Sequence, residues 1–402
     1  MGVKAQLQRI RDGLRAVPTA ASFALSMPFM IPIAPAFRKR ERPWVISGHR
    51  GRIYADNAAA VHQELLRQQQ PVIWISDNDA VTEQLRAQNA PVLQRNSLRA
   101  RWAMLTAPVL IHSHGESDID LFQILLRRHL GLRVHVNHCM NHVKAGDFHS
   151  PIYAKLRGPR KWLYEWLVTD FDVLLASSES EKANFKLAYP KNADRIRLGG
   201  GAHMDKFLRL KAQGNQTNEI VYFPTFRDDA EGKKALEQVI DQLRTSEKLQ
   251  HWLQQQDLQL KIGAHINTGS YDLQETGRIS WLQPSEIVEA MSRAQAFISD
   301  YSGLIMDALL LDAPVIFFPF DLDHYLSTRW LYHPYEKLAY GPCVQSADAL
   351  IDLLVSERWR DLEPWKAQRT AFRDEIIPTL EPTYAQRSVE AIREELAQRE
   401  KA

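Results

Sequence analysis

A polar turn between two apolar runs has the features of a phosphate-binding site. Phe297–Ser299 is typical of a buried strand and is followed by the turn DYSG, Asp300 to Gly303. A helix is predicted over Leu304–Leu311 and another strand over Pro314–Phe320. Open α/β sheets bind ligands at the carboxyl ends of their strands, and the positive end of the following helix favours an anion. The spacing therefore predicts a diphosphate site at this turn.

Individual residues around the turn suggest separate contacts. Gly303 lets an anion approach the backbone closely, and Asp307, about one helical turn beyond Ser302, could reach a ribose hydroxyl or face solvent. Arg227 follows another apolar run and could form a bidentate phosphate contact, or an ordinary surface ion pair with the acidic residues beside it. The alternative for the turn itself is structural, with Ser302 as a simple helix cap and Asp300 solvated.

Histidines follow two other apolar runs. His112 and His114 end one of them, and His138 follows the next, with His142 four residues further on. Histidine titrates near neutral pH, so each could accept a proton at a sheet edge, although packing or capping is an equal alternative for His112 and His114. A zinc site from His112, His114 and His138 is conceivable, but the H-x-H pair lacks a third local ligand. We therefore expect no metal.

Composition excludes several classes of protein. The 402 residues exceed what one hydrophobic core usually supports, so two domains are expected. The 50 basic and 48 acidic residues balance to a net charge of +2, without a basic tract suited to nucleic acid. The two cysteines offer neither a disulfide framework nor a zinc pattern, which suits a reducing cytoplasm.

From residue 43 onward, short apolar runs alternate with amphipathic segments, a pattern that predicts parallel sheets covered by helices. In the first half, strands are predicted over Trp44–Ser47, Val72–Ser76, Val109–Ser113, Leu132–Asn137 and Val173–Ala176, and helices near residues 121–130, 161–168 and 180–189. The glycine run at 199–201 and the polar stretch after it indicate a domain boundary. We place that boundary after residue 205.

A second alternating set follows the boundary. Its predicted strands are Ile220–Phe223, Leu258–Ile262, Phe297–Ser299 and Val315–Phe318, with helices near residues 233–255, 284–294 and 304–311. Neither half contains G-x-G-x-x-G, which favours a GT-B-like α/β architecture over a dehydrogenase. We therefore predict two Rossmann-like domains facing across a cleft, residues 43–205 on the acceptor side and 206–363 on the nucleotide-donor side. Residues 364–402 are predicted to form a helical segment.

Residues 1–42 are predicted to form a membrane-associated segment. An uncharged run from Val17 to Phe37 lies between two groups of cations. About 20 apolar residues can span a bilayer as a helix. The four prolines of the run should break such a helix, because each costs about 3 kcal/mol relative to alanine. We expect the segment to lie in the membrane interface, with its cations near acidic head groups. A signal peptide is the alternative.

Several motifs occur in an order that resembles a known family. After the turn come Asp307 in the helix, an apolar strand, and Asp321 and Tyr325 in a D-x-x-x-Y pattern. Three further motifs are GRIYADN at residues 51–57, FPTFRD at 223–228 and Gly341–Pro342. Together they resemble the CDP-glycerol glycerophosphotransferase family of teichoic-acid and capsule synthesis, from about residue 48 to residue 354.

The resemblance implies two catalytic histidines. The family's W-H-G-x-P-L-K motif corresponds to Val136–Lys144, so His138 matches the presumed base and Lys144 matches the lysine. Here Trp, Gly and Pro are absent and one residue is added between the histidine and the lysine, which makes His142 a rival base. His265 stands where the family has its second functional histidine, and it would stabilise charge on the leaving phosphate.

The resemblance also implies the reaction. The enzyme would transfer glycerol phosphate, or a related polyol phosphate, from a CDP-activated donor to a hydroxyl of a lipid-linked saccharide or polymer. CDP-glycerol or a similar CDP-polyol is then a substrate, and no separate cofactor is expected. The protein would be peripheral on the cytoplasmic face of the cell membrane. The alternatives are a glycosyltransferase that uses a nucleotide sugar and a non-catalytic polymer-binding subunit.

Overall fold

The computed structural model describes residues 3–115, 117–169, 171–214, 216–227, 229–263 and 276–401, with side chains from residue 18 onward except that of Pro284. The first sheet contains β1 Trp44–Ser47, β2 Val72–Ser76, β3 Val92–Gln94, β4 Val109–His112, β5 Leu132–His135, β6 Val173–Ala176 and β7 Ile196–Leu198. The second contains β8 Glu219–Phe223, β9 Gln259–Gly263, β10 Ile279–Leu282, β11 Ala296–Ser299 and β12 Val315–Phe317. Their orders are β3-β2-β1-β4-β5-β6-β7 and β10-β9-β8-β11-β12.

Helices connect and cover the strands. They are α1 Val3–Phe37, α2 Asp56–Arg67, α3 Asp79–Ala87, α4 Leu98–Thr106, α5 Pro151–Lys155, α6 Gly158–Val168, α7 Glu179–Ala188, α8 Met204–Gln213, α9 Ala230–Thr245, α10 Glu247–Gln255, α11 Ile287–Arg293, α12 Leu304–Leu311, α13 Leu322–Thr328, α14 Tyr335–Leu338, α15 Ala347–Val355, α16 Lys366–Ile376 and α17 Tyr384–Lys401. The strand pairs are parallel in both sheets. The prediction of an α/β fold with parallel sheets is therefore confirmed.

All nine predicted strands are present, and the three that the sequence did not indicate are β3, β7 and β10. Each of these three lies at the edge of a sheet. Central strands such as β1 and β6 are buried along their whole length and read as continuous apolar runs. Strands β3, β7 and β10 are partly exposed, so their sequences lack that signal. The single helix predicted over 233–255 is two helices, because Ser246 caps α10 by accepting from Leu249 N.

The expectation that prolines break the amino-terminal segment is wrong. Helix α1 runs without interruption from Val3 to Phe37 and contains all four prolines. Pro28, Pro32 and Pro35 are exposed, so their rings do not disturb the face that packs on the domain. That face places Met27 and Ala34 in a core with α4. Arg101 of α4 also donates to Thr19 O at 3.1 Å and Ser22 Oγ at 3.0 Å.

Helix α17 belongs to the first sheet despite its position in the chain. Ala385, Val389, Ile392 and Leu396 pack in the same core as Trp44 and other first-sheet residues. The boundary predicted after residue 205 falls at the start of α8, between the two sheets. The chain thus crosses to the second sheet near residue 204 and returns at residue 384.

Candidate active site

A cleft of about 1420 Å³ lies between the carboxyl edges of the two sheets. Its first wall includes His114 after β4 and His138 after β5, and its second includes Thr225 after β8 and Ser302 after β11. These residues meet because parallel strands bring their carboxyl ends to one edge of a sheet. The sequence therefore predicted correctly that both sets of residues lie at sheet edges.

The turn after β11 borders the cleft through its last two residues. Ser302 Oγ accepts from Leu304 N at 3.3 Å, so Ser302 caps α12 while lying on the cleft wall. Gly303 has ordinary helical backbone angles, and a Cβ there would be in normal contact with Cys139 Sγ at 3.5 Å. The protein itself therefore does not require glycine at 303. The missing side chain leaves space at the amino-terminal end of α12, where an anion is favoured.

Arg227 and Asp300 have internal partners, in contrast to the ligand contacts expected of them. Arg227 is 3% exposed and forms a bidentate pair with Asp321, with Nε–Oδ2 at 2.7 Å and Nη2–Oδ1 at 2.8 Å. Its Nη2 also lies 2.8 Å from Asp300 Oδ2. Burial alone would lower the pKa of Arg227, but the two carboxylates raise it above its ordinary value. Arg227 is therefore not a surface residue, and the carboxylates that the structure shows beside it are both distant in sequence.

Asp300 is fully buried and holds the turn together. Its Oδ1 accepts from Thr225 N at 2.8 Å and Tyr301 N at 2.6 Å. Tyr301 and Tyr325 stack at 3.8 Å, and the guanidinium of Arg227 lies 5.1 Å and 5.4 Å from their ring centres. The turn is therefore supported from beneath by a buried ionic and aromatic cluster.

A row of three imidazoles in contact forms part of the opposite wall. The ring of His138 lies 4.3 Å from that of His114, whose ring lies 3.7 Å from that of His49. His138 faces the cleft, where partial desolvation lowers the pKa of its ring. Asp56 opposes this effect, whereas Lys144 lowers the pKa further. His138 is consequently neutral near pH 7 and able to accept a proton.

The rival base occupies a different environment. His142 is fully buried, with its Nδ1 3.3 Å from Asn184 Nδ2, in the packing behind the cleft. Burial lowers the pKa of His142 to about 3. The structure thus directs His138 toward the cleft and His142 into the protein. His265, the other predicted catalytic residue, lies outside the described residues.

The residues that could hold a metal differ from those considered from sequence. His112 is buried at the end of β4 with its ring against His135, whereas His49, Asp56 and His114 present donor atoms within 4.8 Å of one another. His49 Nε2 and Asp56 Oδ2 are already hydrogen-bonded at 2.7 Å. This group is therefore satisfied by its own contacts, although its donor types suit a transition metal.

Lys144 and Arg329 contribute positive charge where the two halves meet. Lys144 forms an antiparallel bridge with Leu331, and both cations border the cleft. Burial lowers the pKa of Lys144, while the carboxylate of Asp300 opposes that effect. Arg329 was not identified from the sequence. Its position directly after α13, the helix that follows Asp321, could have indicated a place near the site.

Sequence reasoning also missed the role of His203. Its Nε2 lies 2.9 Å from Asp307 Oδ1 and its Nδ1 lies 2.7 Å from Asn57 Oδ1. Asp307, expected at a ribose hydroxyl or in solvent, is 1% exposed and engages His203 at the cleft wall. The glycine run before His203 indicated only a boundary.

Comparisons with known proteins give a consistent result. Residues 30–394 match the model of the family described as CDP-glycerol:poly(glycerophosphate) glycerophosphotransferase. The chain is 43% identical over 72 residues to the teichoic acid ribitol-phosphate polymerase TarL of Staphylococcus aureus, covering 18% of this chain and 13% of that protein. It is 26% identical over 215 residues to the teichoic acid glycerol-phosphate primase of Bacillus spizizenii, covering 48% and 54%. The matched segments therefore span about half of these relatives or less.

A solved structure shares the fold over nearly the whole chain. The wall teichoic acid polymerase TagF superimposes with a TM-score of 0.65 at 16% identity, covering 98% of this chain and 99% of the TagF chain. TagF soaked with CDPG gives a TM-score of 0.67, also at 16% identity, with 98% of both chains covered. At this identity the likeness concerns the fold.

Proposed function

The chain belongs to the CDP-glycerol:poly(glycerophosphate) glycerophosphotransferase family, and from that membership we propose its reaction. It transfers glycerol phosphate, or a related polyol phosphate, from a CDP-activated donor to a hydroxyl in cell-surface polymer synthesis. The acceptor is a lipid-linked saccharide or a growing polymer. The observation that carries this proposal is a single cleft with a neutral histidine on one wall and a helix amino terminus on the other.

The donor diphosphate binds at the second sheet. The amino-terminal end of α12, with Ser302 and Gly303, accommodates phosphate oxygens, and Lys144 and Arg329 supply positive charge nearby. Because the amino-terminal end of α12, Lys144 and Arg329 compensate the negative charge of the diphosphate, donor binding does not require a metal. Calorimetry with CDP-glycerol in chelator tests this point, and binding that strictly requires magnesium or manganese contradicts it.

The chemical step joins the two walls. The acceptor hydroxyl attacks the phosphorus of the polyol phosphate while its proton passes to His138. A new oxygen–phosphorus bond forms, the bond to the CMP phosphate breaks, and CMP leaves with the negative charge. His265 is proposed to stabilise the leaving phosphate, in keeping with its place after β9 in sequence.

Donor labelled in the cytidine ring and, separately, in the polyol tests the reaction. We expect labelled CMP together with polyol label in the polymer fraction. Release of a nucleoside diphosphate from a nucleotide sugar indicates a glycosyltransferase. Absence of turnover with either donor class indicates a binding subunit. The matched control is the same protein without acceptor.

The membrane contact is proposed for one continuous apolar face. Leu25, Phe29 and Ile33 of α1 follow one another at four-residue spacing and are 73%, 77% and 51% exposed. The α1 stretch Pro18–Phe37 is long and apolar enough, by length and composition alone, to cross a membrane. Its other face packs on α4, which favours a helix lying in the interface rather than across the bilayer.

Neighbouring segments extend this face. Phe23 of α1 contacts Phe122 at 4.8 Å, and the adjoining turn carries Leu125, which is 59% exposed. Arg127 of that turn lies over Trp166 of α6 at 4.5 Å, and α6 exposes Trp162. Helix α6 also carries basic residues, which suit an anionic cytoplasmic leaflet. We therefore propose a peripheral enzyme on the cytoplasmic face of the cell membrane.

A further inference from the structure

The imidazole of His203 is placed between two hydrogen-bond acceptors. On one side, Asn57 Nδ2 donates to Val136 O at 2.9 Å and to Asn137 O at 3.3 Å. Since carbonyls accept only, these bonds fix which end of the amide is nitrogen. The side-chain oxygen of Asn57 must then face His203. It accepts a hydrogen bond from the backbone N–H of His203 at 2.8 Å and lies 2.7 Å from Nδ1 of the His203 ring.

On the other side, His203 Nε2 lies 2.9 Å from a carboxylate oxygen of Asp307. A neutral imidazole carries one N–H and can donate to one of two acceptors, whereas an imidazolium donates to both. Leaving either bond unmade at a buried site would cost about 1–3 kcal/mol. We infer that His203 is a positioning residue, charged at neutral pH, that connects the donor-side helix α12 to the strand end that carries His138.

The surrounding charges are consistent with a cation at this site. His203 is 8% exposed, and burial by itself disfavours its charge. Asp307 outweighs that effect, with a smaller contribution from Asp56, and the pKa of His203 is raised to about 9. Glu181 is a further acidic neighbour, whose pKa is raised by burial against the opposing effect of the charge on His203.

The consequence for catalysis is geometric. The contacts run from Asp307 through His203 to Asn57, and from Asn57 to the carbonyls of Val136 and Asn137, which immediately precede His138. The network therefore sets the distance between the base and the donor-binding helix. A misplacement of about 1 Å costs roughly 100-fold in rate. The catalytic part of this inference rests on the proposed function, whereas the protonation of His203 does not.

The decisive experiment uses NMR of the full chain with ¹⁵N-labelled histidine rings, with His203→Gln identifying the signals. We expect both ring nitrogens of His203 to be protonated at pH 7.5 and to titrate near pH 9. His62, which is also fully buried and whose pKa burial lowers to about 4, is the internal reference for a neutral ring. A neutral His203 ring at pH 7.5 would overturn the inference.

Kinetics then separate positioning from folding. We expect His203→Gln to lower kcat by about 10-fold to 100-fold with the donor KM nearly unchanged. We expect kcat of the parent protein to fall as pH rises through about 9 and His203→Gln to lack that fall. His62→Gln, a matched change at a buried histidine, should keep the parental kcat and pH profile. Parental kcat in His203→Gln refutes the positioning role. An inactive parent protein refutes the proposed function but leaves the NMR result decisive for the charge.

Discussion

The substitution Asp300→Asn distinguishes an internal role of Asp300 from a ligand contact. The asparagine oxygen can still accept from the N–H groups of Thr225 and Tyr301, but its amide nitrogen would face Arg227 Nη2, donor against donor. Removing one partner of a buried ion pair costs about 3–5 kcal/mol. Asp321 continues to compensate the charge, so we expect the lower end, a loss of about 3 kcal/mol in the free energy of unfolding.

The measurement is urea unfolding followed by tryptophan fluorescence and circular dichroism. The control is Asp312→Asn, the same chemical change at a carboxylate that is 49% exposed and pairs with Lys211, Arg369 and Arg373. Such surface pairs contribute about 0–1 kcal/mol, so Asp312→Asn should unfold almost as the parent protein does. Calorimetry with CDP-glycerol should give Asp300→Asn an affinity within a few-fold of the parent. Parental stability combined with an affinity loss of about 100-fold would show that Asp300 contacts the ligand and that our reasoning is wrong.

Three further outcomes are expected. His138→Ala should lower CMP release by about 10²-fold to 10⁴-fold, whereas His142→Ala should cost less than about tenfold; the reverse pattern would make His142 the base. The double variant Leu25→Glu with Phe29→Glu should lose binding to anionic vesicles in flotation assays, and Leu380→Glu, at another exposed leucine, should not; retained binding would refute the proposed membrane face. The pKa of His142 is about 3 when folded and about 6.5 when unfolded, so the unfolded chain binds more protons between these values. The free energy of unfolding should therefore fall as pH drops from about 6.5 to 3, less steeply in His142→Asn, and equal slopes would contradict the assignment.

Central strands and the sheet edge they share could be predicted because their signal is local. A strand buried on both faces, such as β11, is mostly apolar along its length, and polar residues such as Ser302 follow where it ends. The prolines of α1 led to a wrong prediction because the helix-breaking cost of each proline was considered without the packing of the helix. Packing of Met27 and Ala34 against α4, together with the bonds from Arg101, holds the helix across them.

The partners of Arg227 and His203 could not be read from the sequence. Asp300 and Asp321 lie 73 and 94 residues from Arg227, and Asn57 lies 146 residues from His203. No periodicity or spacing rule relates positions so far apart. The partners of a buried cation are the carboxylates that the fold brings to it, and for Arg227 these are Asp300 and Asp321.

The return of α17 to the first sheet has a consequence for how the protein is made. Residues 384–401 emerge from the ribosome after the entire second sheet, yet Val389 and Ile392 complete the first core. The backbone N–H groups of Tyr384 and Ala385, at the start of α17, donate hydrogen bonds to the carboxylate of Asp205. During synthesis the core of the first sheet therefore keeps an uncovered apolar face until α17 is made. A nascent chain stalled before residue 384 should show protease resistance around the second sheet first, and early protection of the first sheet would contradict this order.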